Sequence, residues 1–125
     1  MIAAIYFASF WGVAELALLG IKTRTVRIHT LFVAVAAGMF AAAPLALLLQ
    51  LAWTRPYAWI AQIRVAEVTD LAGYTLDPFF EEAVKVLPLI LFTYLAPAAR
   101  KWSFIDYVVV GGAIGSGFGL AECLY

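Results

Sequence analysis

Four long apolar stretches dominate the chain: residues 2–20, 31–53, 79–99 and 106–125. Each runs for about 19–23 residues, and roughly 20 helical residues cross a hydrocarbon core. Nowhere does the sequence alternate apolar and polar residues in blocks of about ten, as a membrane β-barrel would. In lipid the backbone must satisfy its own hydrogen bonds, so the pattern predicts helices. The expected fold is all-α: one polytopic membrane domain over residues 1–125, with about four transmembrane helices. The N-terminal stretch has no basic leader and is longer than a signal-peptide core, so it reads as a retained span.

The connectors are polar and mostly short. Residues 21–30 (IKTRTVRIHT) carry Lys22, Arg24, Arg27 and His29. Within 54–78, residues 58–71 set Trp59, Ile60, Ile63 and Val65 beside Arg64, Glu67 and Asp70, which predicts a short amphipathic helix on the interface. Residues 100–105 form a tight basic turn, making the last two spans an antiparallel hairpin. The first and third connectors hold Lys22, Arg24, Arg27, Arg100 and Lys101, against Arg55 and Arg64 in the second. By the positive-inside rule, connectors one and three face the cytoplasm and the N-terminus lies outside.

Composition strengthens this picture. Apolar residues make up 66% and charged residues 13%, against about 25% charged in a soluble domain. Eight Lys and Arg balance eight Asp and Glu, so no net field would attract nucleic acid. The single cysteine, Cys123, forms no internal disulfide, and one histidine does not make a multi-His metal site. The expected surroundings are a lipid bilayer, with a membrane-anchored protein substrate or partner subunits.

Ionisable residues inside spans are costly and mark function by default. Glu81, Glu82 and Lys85 form the string EEAVK, whose helical spacing lets both carboxylates reach the ammonium. A plain interfacial salt bridge is the alternative. In the last span Gly111, Gly115 and Gly119 recur every four residues, a small-residue face suited to close helix packing. Glu122 projects within roughly 20° of that stripe. The hairpin turns near Trp102, and Glu82 and Glu122 lie 20 residues before and after it, hence at one depth. Converging carboxylates suit a general base, a shared proton or a metal ion, with Glu82 and Glu122 as candidate ligands of a divalent metal such as zinc. Elsewhere, Asp106 reads as a helix cap, and Pro44, Pro88 and Pro97 as kinks. Glu15 reads as a lining group of the same cavity, a partner of Lys85 or, equally, a protonated helix–helix hydrogen bond.

EEAVK at 81–85, then Asp106, then GGAIGSGFGLAE at 111–122 resembles the PrsW family of intramembrane proteases. That family is typified by an EExxK motif followed by a Gly-rich GxGFxxxE span, here ending in Phe118 and Glu122. The resemblance implies cleavage of membrane-bound substrates such as anti-sigma factors, in the bacterial cytoplasmic membrane. It implies that Glu81, Glu82, Lys85 and Glu122 carry the chemistry. Two features depart from the pattern. Cys123 stands where the family commonly has Asn, and the family's later His-containing spans do not follow before Tyr125. The latter implies a fragment, a truncated product or a degenerate relative. A non-catalytic membrane subunit docking through its Gly-rich helix is the competing reading, and a small proton-conducting bundle is a third.

Overall fold

A computed structural model describes residues 26–124 and, before them, Phe7, Phe10, Trp11, Gly12, Ala14, Glu15 and Leu18. The expected span 2–20 therefore lies mostly outside the described residues, as do residues 21–25 of the first connector. All regular structure among the described residues is helical.

Helix α1 runs over Ile28–Ala61, with one π-helical turn at Gly38–Ala42. Pro44 follows two residues after that turn. A proline lacks an N–H and crowds the preceding turn, and a widened π turn absorbs both effects. At 34 residues α1 is about 51 Å long, well beyond a hydrocarbon core of about 30 Å. It contains the expected span 31–53 and continues past it. Trp59 and Ile60, expected in the amphipathic helix, are instead its last turn. The break comes at Gln62, whose φ of 56° is left-handed and whose side-chain amide donates to the Trp59 carbonyl at 2.8 Å.

Helix α2, Val65–Gly73, is the short amphipathic helix, beginning later than the sequence pattern suggests. Helix α3, Asp77–Leu95, holds EEAVK in its first half. It stops four residues earlier than expected. The residue before a proline is pushed towards extended backbone, and Ala96, before Pro97, has φ −103° and ψ 108°. Pro97–Lys101 then forms a 3-10 turn.

Helix α4, Phe104–Glu122, starts at a capping box. The Ser103 backbone N–H donates to Asp106 Oδ2 at 2.7 Å, and Ser103 Oγ accepts from the Asp106 N–H. Asp106 is thus the cap its position suggests.

Helix α4 packs chiefly on the first part of α1, including the π turn, and then on α3. Val109, Val110, Ala113 and Ile114 meet Leu31 and Ala34 in one core cluster. A second cluster joins Ala42, Ala43 and Ala46 to Val84, Phe118 and Ala121. The first crossing is extremely close. A Cβ at Gly38 would lie 2.0 Å from the Ile114 carbonyl oxygen, and one at Gly117 would lie 2.0 Å from that of Val35. The two backbones touch, and only glycine fits on either side.

The outward faces stay greasy. Phe32, Phe40, Leu48, Ile60, Phe79 and Leu95 are all exposed. A soluble domain would not leave so much apolar side chain uncovered, whereas a bilayer covers it. Helices α1 and α4 are long and apolar enough to cross a membrane. Helix α3 does not meet the same measure, because Asp77, Glu81, Glu82 and Lys85 crowd its first half.

Candidate functional site

At one end of the bundle, α1, α3 and α4 leave a cleft of about 260 Å³. Its apolar walls are Ala43, Ala46, Leu47, Phe80 and Phe118. Its polar groups are Gln50 from α1, Asp77 and Glu81 from α3, and Glu122 from α4.

Local sequence explains the arrangement. Asp77 and Glu81 are one helical turn apart, so both face the same way. Val84 and Pro88 continue that face and are buried, which turns Asp77 and Glu81 inward. Phe118 and Glu122 are likewise one turn apart on α4 and line the cleft together.

Burial grades from floor to mouth. Asp77 is only 5% exposed, Glu81 is half-buried and Glu122 is exposed. Gln50 Nε2 donates to Asp77 Oδ2, tying α1 to the start of α3. Asp77 Oδ1 is buried and has no hydrogen-bond partner among the described residues.

Of the residues expected to act together, Glu81 and Glu122 share the cleft. Glu82 does not line it. Its side chain is 73% exposed and pairs with Lys85, Nζ to Oε1, at 2.7 Å. Lys85 Nζ also lies 4.5 Å from the centre of the Phe118 ring. The paired-carboxylate motif is therefore split: Glu81 faces α4, and Glu82 holds Lys85 on the flank. Among the described residues the tightest crossing falls at Gly117, not at Gly111 or Gly115 of the expected stripe. A Cβ at Gly111 would meet only Leu89 Cδ2 at 3.8 Å, and at Gly115 nothing described within 4 Å.

Asp77 and Gln50 did not stand out in the sequence. Asp77 sits before a proline at the edge of a connector and reads as a helix-start residue. Gln50 is a lone amide in an apolar run. An isolated amide in a span is itself a signal, because it needs a polar partner in lipid.

The described donor set does not amount to a metal site. Among the described residues no three His, Cys, Asp or Glu side chains gather closely enough to hold an ion, and Glu82, one of the two candidate ligands, faces away from Glu122's cleft.

No curated protein and no solved structure matches the chain. The model of one family does, over residues 26–125, which takes in α1 to α4 and the whole cleft. By that match the chain belongs to the PrsW family of intramembrane metalloproteases.

Proposed function

We propose that the chain cleaves membrane-bound protein substrates at the cleft between α1, α3 and α4, with Glu81 and Glu122 as the groups that handle the proton. The observation that carries this reading is the shared cleft: two glutamates from separate helices meet at one opening, beside apolar walls.

The chemistry follows from the carboxylates. One of them takes a proton from a water as its oxygen attacks the scissile carbonyl. The same proton then passes to the leaving amine as the C–N bond breaks. Phe80, Phe118 and Leu47 limit the water around that exchange. Glu82 and Lys85 touch neither water nor peptide in this scheme. They form a positioning pair, with Lys85 braced on Phe118, the residue one turn before Glu122. A divalent metal, which the family description implies, would supply Lewis-acid polarisation when bound. The described residues do not assemble a site for it, and no step above passes through it.

The substrate class that fits is a single-span protein such as an anti-sigma factor, cut near the outer face of a bacterial cytoplasmic membrane. The positive-inside orientation supports that level, since it sets the basic turn at 100–105 inside and the cleft at the opposite end.

The test is reconstitution of the full chain in liposomes with a single-span substrate, with products read by mass spectrometry. Glu81→Gln and Glu122→Gln should each lower cleavage by about 10²-fold or more, the usual contribution of a general acid or base. Melting temperatures should stay near that of the parent. Undiminished cleavage by both variants would overturn the assignment.

A further inference from the structure

The floor of the cleft holds a group that the proton chemistry does not use. Asp77 is 5% exposed, one of its oxygens is fixed by Gln50 and the other is buried with nothing among the described residues donating to it. Leaving a buried acceptor unmade is expensive, and more so for a charged group. Asp77 lines the cleft, and no donor among the described residues reaches Oδ1, so an occupant of the cleft that turns the carboxylate towards itself would complete it. The space of about 260 Å³ exceeds the roughly 30 Å³ share of one water many times over.

Charge narrows the occupant. Asp77, Glu81 and Glu122 line the cleft, and no Lys or Arg among the described residues does. Lys85 is committed to Glu82 and the Phe118 ring on the flank. A peptide amide would satisfy Oδ1 and leave the acidic lining uncompensated. A lysine or arginine side chain supplies both a donor and a positive charge. Its aliphatic stem matches Ala43, Ala46, Leu47 and the Phe80 ring.

We propose that Asp77, held in place by Gln50, is a specificity-determining residue that receives a basic side chain of the membrane-bound substrate. This rests on the reading of the cleft as the peptide site. It is separable from that reading because it concerns binding preference, not cleavage.

The experiment measures binding in the cold to the full chain in lipid nanodiscs. The probes are fluorescent single-span peptides that differ only in a Lys, a Met or a Glu near the outer membrane end. The Lys peptide should bind about tenfold tighter than the Met peptide, the scale of a hydrogen bond to a charged group. Asp77→Asn keeps the shape, and the Gln50 amide can turn to meet it; the preference should then fall to within about twofold. Asp77→Lys should favour the Glu peptide over the Lys peptide. Equal binding of Lys and Met peptides by the parent chain would overturn the proposal, and so would an unchanged preference in Asp77→Asn. Absence of cleavage alongside a clear Lys preference would instead count against the proton chemistry and leave the specificity role standing.

Discussion

The two halves of α1 meet their neighbours in opposite ways. Around Gly38 the helix is pressed on α4 until backbone touches backbone, with no room for a methyl group. Around Gln50 it stands off from α3 and α4, leaves a cleft and reaches across with one polar side chain. Close packing of small residues holds membrane helices together where the hydrophobic effect cannot. A fixed contact at one level lets the helices diverge at another without coming apart. The crossing makes the bundle, and the divergence makes the site.

The largest effect should come from closing the gap in that contrast. Gly117→Ala and Gly38→Ala each place a methyl on a carbonyl oxygen and require the crossing to open. Overpacking of this kind costs about 1–3 kcal/mol, and here the obstacle is backbone, so the upper end applies. Gly115→Ala is the control, because nothing described lies within 4 Å of its new methyl. It should be neutral or gain up to about 1 kcal/mol from helix propensity. Thermal melting in detergent reads all three. If Gly115→Ala melts as early as Gly117→Ala, the Gly111/Gly115/Gly119 stripe packs against a surface outside the described residues.

How much of this was legible in the sequence depended on the kind of signal. Helices α1 and α4 were legible as long apolar runs, because hydropathy survives without knowledge of neighbours. The cap at Asp106 was legible because it is local. Glu81 and Glu122 stood out because charge in a span is rare. Which of Glu81 and Glu82 faces α4 was not legible: both satisfy the spacing to Lys85, and only the burial of Val84 and Pro88 fixes the rotation of α3. The stripe at Gly111 was a true periodicity, yet among the described residues the tightest contact falls on Gly117, because Val35 and Gly38 on α1 set it and pairing across helices leaves no trace in either segment alone. Asp77 was hidden for the same reason. Its importance comes from Gln50, on another helix.

A middle-sized effect should come from the polar bridge on the open side. Gln50→Leu removes the donor to Asp77 and leaves both carboxylate oxygens without a partner among the described residues. Stranding a buried acceptor costs about 1–3 kcal/mol. The loss should be smaller than at Gly117, because a cleft admits water and a packed crossing does not. Melting together with the Lys-over-Met binding ratio separates the two roles of the bridge. A lower melting temperature with an intact ratio would mean that Gln50 fastens helices without orienting Asp77.

The smallest effect should come from the pair on the outer flank. Glu82 is 73% exposed on its side chain, whereas Lys85 is 22% exposed and also sits over the Phe118 ring. Exposed ion pairs contribute about 0–1 kcal/mol, because fixing two long side chains offsets most of the attraction. Glu82→Gln should therefore lower stability by about 0.5 kcal/mol or less, with Lys85 still held by the ring. Its effect on cleavage should exceed its effect on melting if the pair positions Lys85 against Phe118 and so steadies Glu122 one turn on. Lys85→Met, made alone and with Glu82→Gln, closes a double-mutant cycle on cleavage rate. A coupling energy near zero would reduce the flank to an ordinary surface ion pair. A coupling larger than the stability change would tie the outward half of the EEAVK motif to the inward half. The contrast between packed and open regions would then extend to the two neighbouring glutamates: one placed in the cleft, the other acting on it only through the lysine it holds.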